Sequence, residues 1–107
     1  MRRGELYRLR HPSGDSKRAR VFVVASRDTL VGSRFRTVVC APVYTHRRGI
    51  STEVSVGSDE GLKHESTILC DALISVEKAR LTDYVGALSP TKLSQFRDAL
   101  RIALDVE

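Results

Sequence analysis

Arg20-Val21-Phe22-Val23-Val24-Ala25 sets five apolar residues, most of them β-branched or aromatic, in one unbroken run behind a single arginine. The run is too short for a helix and has no polar face, so it reads as a central strand covered on both sides. Arg20 then stands at the mouth of a rigid element. Upstream, Glu5-Leu6-Tyr7-Arg8-Leu9-Arg10 alternates apolar and charged residues, the period of a half-buried strand. Between the two, His11-Pro12-Ser13-Gly14-Asp15-Ser16-Lys17-Arg18 breaks all periodicity and reads as a connecting loop.

Downstream, the polar link around Asp28-Thr29 has room for one short helical turn. Thr37-Val38-Val39-Cys40-Ala41 gives a second buried strand, with Pro42 expected to interrupt its pairing and Tyr44-Thr45-His46-Arg47-Arg48-Gly49 to form the next loop. Thr52-Glu53-Val54-Ser55-Val56 alternates as a half-exposed strand, and Gly57 to Gly61 makes an acidic turn. Thr67-Ile68-Leu69-Cys70 is a further apolar strand, and Asp71 to Val76 bends and continues the sheet. Ser89-Pro90 supplies an N-cap and first helical position, after which Leu93, Phe96, Leu100, Ala103 and Leu104 recur at spacings of three and four. At least five strands followed by one helix predict an α+β fold: a small, strongly bent sheet or partly open barrel with a C-terminal helix.

The 107 residues, 41% of them apolar, suffice for a single modest core, so the expectation is one domain over 1–107. Charge is divided along the chain. Residues 1–48 hold twelve Lys/Arg against three acids, and residues 49–107 hold six against ten, for a net charge of +5. The excess is mostly Arg, whose planar donor fork suits phosphate, so an anionic partner is expected. Trp is absent and aromatics make up 6%, a thin supply of stacking platforms. Cys40 and Cys70 each lie in an apolar run without CxxC spacing and read as buried free thiols of a reducing compartment. His11, His46 and His64 are scattered in polar segments, which argues against a zinc site. No run approaches a membrane span, and Met-Arg-Arg is followed by Gly-Glu rather than an apolar signal core, so a cytoplasmic protein with no membrane contact is expected.

The chain has no GxxxxGK[ST], no GxGxxG after a strand and no paired carboxylates at metal-ligand spacing, so nothing in it fits nucleotide hydrolysis. RNA needs neither a metal nor a nucleotide cofactor to be cut. Its own 2′-hydroxyl attacks the adjacent phosphorus, leaving a cyclic phosphate and a free 5′-hydroxyl. The protein then supplies in-line geometry, proton transfer and cationic stabilisation of the phosphorane.

The order of short segments resembles the MazF/PemK (Kid) family of toxin endoribonucleases. Gly4-Glu5-Leu6-Tyr7, a loop with Gly14, and Arg20 leading into Val21-Phe22-Val23-Val24 open the match. Thr37-Val38-Val39-Cys40-Ala41-Pro42-Val43 is similar to the family's "TVIVAP" strand, Thr52-Glu53-Val54 to its "TEV", and Gly61-Leu62-Lys63 with Glu65-Ser66 to its "GLKxDS" turn. Cys70-Asp71, Lys78-Ala79-Arg80-Leu81 and Gly86-Ala87-Leu88-Ser89 complete it. The resemblance implies a CcdB/PemK-like fold with an SH3-like barrel, a homodimer, cleavage of single-stranded RNA at short sequences with no metal and no cofactor, and inhibition by a cognate acidic antitoxin.

In the matching position Arg20 falls on the family's catalytic Arg, although Val21 replaces the Pro that usually follows. Tyr44 occupies the place of the catalytic Thr, with Thr45 next. If the strand register holds, Tyr44 faces the site, and a small bulge would bring Thr45 in instead. Asp71 matches the carboxylate of the PemK-type "CD" pair, for which an acid/base role is implied, or is a structural turn carboxylate. Leu69 stands where PemK-type members have a second Arg, and Asp15 where they carry a loop His. Lys17, Arg18, Arg47 and Arg48 are candidates for guiding the RNA backbone. The replaced Thr keeps a second reading open, a non-cleaving toxin like the CcdB gyrase poisons, and a third is a plain RNA-binding barrel.

Overall fold

In the computed structural model, which describes residues 1–9 and 20–107, the run behind Arg20 is strand β2, Arg20–Val24. It pairs antiparallel with β1, Glu5–Leu9, on one side and with β3, Thr37–Tyr44, on the other. Both faces of β2 are covered, as an unbroken apolar run requires. Leu6, Val23, Ala41 and Val43 belong to one core cluster, while Tyr7, Val24, Val38 and Cys40 belong to a second. Successive residues of a strand point to opposite faces, so the two clusters are the two sides of one sheet.

The sheet is completed by β4, Glu53–Val56, β5, Ser66–Leu69, β6, Ile74–Glu77, and β7, Asp83–Ala87. Strand order is β4-β5-β3-β2-β1-β7, with β6 also paired to β3. One edge of β3 serves two partners in turn: Thr37 to Cys40 pair with β6, and Val43 and Tyr44 pair with β5. The sheet curls at this changeover into a half-barrel, and the C-terminal helix makes the fold α+β. Pro42 does not interrupt the pairing as expected. It sits opposite Phe22 within β3, between the last residue paired to β6 and the first paired to β5, where its missing N–H costs no ladder bond on that edge. The strand therefore reaches Tyr44, which the sequence placed in the following loop.

The helical turn expected near Asp28 is α1, Asp28–Val31, and the bend at Asp71 is a 3₁₀ turn, Cys70–Ala72, leading into β6. Strand β7 went unrecognised because Gly86 dilutes its apolar pattern. That glycine has a packing reason: a Cβ there would collide with the Glu60 carbonyl, and a Cβ on Gly61, whose φ is +90°, would collide with the Val85 carbonyl. The turn through Glu60 thus lies backbone to backbone against β7. Gly86→Ala is expected to destabilise the protein by about 1–3 kcal/mol through overpacking, read as a lower midpoint in a urea titration.

Helix α2, Pro90–Leu104, starts as anticipated, with the Ser89 side chain accepting a hydrogen bond from the Lys92 N–H at 3.2 Å. Phe96, Ala99 and Leu100 bury its inner face against the first core cluster. Leu104, assigned to that stripe from spacing, is 55% exposed because it falls on the flank of a face centred on those three residues. Cys40 and Cys70 are free, buried and in different clusters, and burial pushes both thiols up to about 12, so they remain neutral at physiological pH. No helix among the described residues is long and apolar enough to cross a membrane.

Candidate functional site

Arg20 opens β2 opposite Leu9, and the register that pairs Val21 with Val43 carries it next to Tyr44 one step further on. The side chains use that proximity. The guanidinium carbon lies 3.8 Å from the centre of the Tyr44 ring. Nη1 also donates to the Val43 carbonyl at 3.3 Å. Cation–π contact on a half-buried ring is worth about 0.5–2 kcal/mol, enough to favour one orientation of a long side chain. Among the described residues only this one of its N–H donors is committed to protein, so the rest of the fork is available to an anion.

The pairing of β2 with β3 shows no bulge between Val21 and Val24, and Tyr44 is itself paired with Thr67 of β5. Strand alternation therefore places Tyr44 on the Arg20 side of the sheet. Thr45 is the first residue beyond the strand and is exposed. Both line the same cleft, and Tyr44 is the one in contact with Arg20.

That cleft, of about 510 Å³, opens at the strand ends and is lined by Arg8, Arg20, Tyr44, Thr45, His46 and Lys63, with Val21, Val43, Leu62, His64 and Ser66. Three fixed cations face it, and no carboxylate is among the described residues that line it. Arg8 is drawn toward Asp83 at 3.9 Å, a half-exposed pair too long and too wet to neutralise it fully. The turn that brings Lys63 and His64 to the rim is held by short bonds. Buried Glu60 accepts from the Gly57 N–H at 2.7 Å, the Leu62 N–H donates to the Gly57 carbonyl at 3.1 Å, and Ser66 Oγ donates to the His64 carbonyl at 2.9 Å. On the other rim, Glu53 Oε1 accepts from the N–H groups of Arg48 and Gly49 at 3.1 and 2.9 Å, tying down the loop that carries His46.

Asp71 lies elsewhere. Strand β5 begins at Ser66 on the cleft and carries the chain away from it, so Asp71 emerges at the far end. There it accepts a hydrogen bond from Thr52 Oγ1 at 2.6 Å and shares a separate small hollow with Arg48 and Glu53. Arg47 is exposed in the loop after β3 and is not among the residues lining the cleft. Lys17 and Arg18 lie outside the described residues. Arg8, Lys63, His46 and His64 were not singled out as a site from sequence. The sequence alone carried no signal for Arg8, which the pairing of β1 with β2 sets opposite Val21, the neighbour of Arg20.

The sequence profile of PemK-like, MazF-like toxins of type II toxin–antitoxin systems matches residues 2–104. Among curated proteins, the chain is 34% identical over 88 residues to a probable endoribonuclease MazF5 of Mycobacterium tuberculosis, covering 80% of this chain and 79% of that protein. It is 28% identical over 90 residues to endoribonuclease MazF3 of the same organism, covering 84% and 86%. An endoribonuclease from a mycobacterial species, solved in complex with its cognate antitoxin, superposes with a TM-score of 0.85 at 26% identity, over 100% of this chain and 97% of that one. A MazE–MazF structure from Deinococcus radiodurans shares the fold, with a TM-score of 0.79 at 20% identity over 100% of this chain and 97% of the other. A profile match over nearly the whole chain, with the motif arginine clamped at the mouth of a cationic cleft, leads to one assignment: the chain belongs to the PemK-like, MazF-like toxin family of type II toxin–antitoxin systems.

Proposed function

We propose that the chain is an endoribonuclease toxin that cleaves single-stranded RNA at selected sequences, without a metal ion, by directing the 2′-hydroxyl of the substrate onto the adjacent phosphorus. The observation that carries this reading is the Arg20 clamp. A permanently charged, planar donor fork is stacked on Tyr44 and tethered to Val43 inside a cleft that also presents Arg8 and Lys63. Such a fork binds the nonbridging oxygens of a phosphodiester and binds them more tightly as charge builds on the phosphorane. The hydroxyls of Tyr44 and Thr45, which line the same cleft, are then neutral donors for that phosphate. Apolar Leu62 and the Tyr44 ring offer surfaces against which an unstacked base can rest.

The chain acts as one toxin domain in the cytoplasm, as a homodimer whose basic faces form the RNA groove, and Lys17, Arg18, Arg47 and Arg48 are the further cations offered to the RNA backbone. Its antitoxin presents an acidic, partly apolar segment that lies in the same cleft, where no described carboxylate would oppose it. The test is to incubate the purified protein with a long single-stranded RNA in excess EDTA and map product ends. Cuts at a recurring short sequence, ending in cyclic phosphate and 5′-hydroxyl, are expected. Intact RNA with a folded protein would transfer the assignment to a protein-binding toxin, or to an RNA-binding module if RNA is retained.

A further inference from the structure

Cleavage by the 2′-hydroxyl requires two proton transfers, and the cationic residues of the cleft cannot supply them both. Arginine stays protonated and cannot act as a base. Lysine is a cation near neutrality and serves phosphate as a point charge. The carboxylate expected for acid/base work, Asp71, is at the far end of β5 and hydrogen-bonded to Thr52. What remains among the described lining residues are the hydroxyls of Tyr44, Thr45 and Ser66 and two imidazoles, His46 and His64. Imidazole is the side chain that exchanges a proton near neutral pH.

We propose that His46 and His64 carry the protons of the cleavage reaction, one as general base and the other as general acid; this rests on the endoribonuclease reading above. Both line the cleft that holds Arg20, each from a different segment. His46 lies in the loop that leaves β3, and His64 in the turn that enters β5. Tyr44 at the end of β3 pairs with Thr67 at the start of β5, so the two imidazoles come from neighbouring strands at one end of the sheet, by separate segments. Both are exposed and can exchange protons with solvent between turnovers.

In the reaction one neutral imidazole takes the 2′-hydroxyl proton as the O2′–P bond forms. The other, as imidazolium, gives its proton to O5′ as the P–O5′ bond breaks. The electron pair of that bond leaves on O5′, the phosphodiester becomes a 2′,3′-cyclic phosphate, and the enzyme ends with its two protonation states exchanged. Among the described residues, the charged and titratable groups sharing the cleft with the two imidazoles are Arg8 from β1, Arg20 from β2, Tyr44 from β3 and Lys63 beside His64. Glu65, next in sequence, lines a different hollow with Asp59 and Lys92.

The test uses an RNA oligonucleotide built around a site that the wild-type protein cuts, made with the ordinary 5′-oxygen and with a bridging 5′-sulfur, which leaves without a proton. His46→Ala and His64→Ala are each expected to slow cleavage of the all-oxygen RNA by at least about 10²-fold. Binding of a 2′-deoxy analogue should stay within about threefold of wild type, placing the loss in the chemical step. The sulfur leaving group should restore the variant that lacks the acid and leave the other slow, and the wild-type pH–rate profile should be a bell that loses one limb in each variant. Both variants cutting at the wild-type rate, a loss confined to binding, or sulfur rescuing neither would overturn the inference while the ribonuclease reading stood. A wild type that cuts no RNA would remove that reading and this inference with it.

Discussion

Arg20→Ala is expected to lower the single-turnover rate of RNA cleavage by about 10²–10³-fold, the scale of removing one preorganised donor from a developing oxyanion. In the sequence, Arg20 precedes an unbroken apolar run that reads as a buried strand. The end of such a strand is a rigid place to hold a charge. The structure adds the two contacts that orient it, the Tyr44 ring at 3.8 Å and the Val43 carbonyl at 3.3 Å. Removing the side chain breaks neither a core contact nor a ladder bond, since Arg20 is only half-buried and its backbone pairs with Leu9. The variant should keep the wild-type circular dichroism and urea midpoint. Arg20→Lys should recover only part of the rate, because an ammonium keeps the charge but lacks the planar fork that stacks on Tyr44 and bridges two phosphate oxygens. Full activity in Arg20→Ala would place the phosphate elsewhere in the cleft.

The largest effect on stability is expected at Phe96→Ala, about 3–5 kcal/mol measured by urea unfolding. Phe96 is fully buried and is the largest such side chain among the described residues. It belongs to the cluster that joins α2 to Leu6, Val23 and Ile68 of the sheet, and the guanidinium of Arg3 lies 5.9 Å from its ring centre. Arg3 in turn donates from Nε to the Ala25 carbonyl at 3.0 Å, and its own N–H donates to Asp28 at 2.7 Å. Truncating the ring therefore leaves a cavity under the helix and loosens the start of β1. Against a total stability of about 5–15 kcal/mol for a domain of this kind, much of the folded margin would be lost. Phe96→Leu, which retains most of the volume, should cost markedly less. Equal midpoints for wild type and Phe96→Ala would mean that α2 does not anchor the sheet.

Elements whose apolar pattern is decided locally were legible in the sequence. The unbroken run after Arg20, the alternation of β1 and β4, and the Ser89-Pro90 helix start each follow from side-chain period or capping chemistry within a few residues. Features set by pairing across the sheet were not. Pro42 looks like a strand breaker until β3 is seen to change partners at that point, and that change decides whether Tyr44 or Thr45 meets Arg20. Gly86 looks like a reason against a strand until the Glu60 turn is laid against it. Of the site, Arg20 and its two hydroxyl neighbours were within reach because they fall at strand ends in matching motifs. Arg8, His46 and His64 stand far apart in the chain and share no local pattern, and only the folded sheet and its loops bring them to one cleft. Asp71 shows the converse: a motif position next to an apolar strand cannot tell which end of the sheet that strand will point to.

The claim that the Arg20 cleft directs the substrate's own 2′-hydroxyl onto its phosphorus is tested most directly by a single atom in the RNA. An oligonucleotide carrying one 2′-deoxy residue on the 5′ side of a mapped cut should bind the wild-type protein like the all-ribose strand, yet remain uncut in excess EDTA. The all-ribose control should be cut to a 2′,3′-cyclic phosphate. Cleavage of the 2′-deoxy strand at the same bond, or cleavage of the control only when divalent metal is restored, would contradict the account.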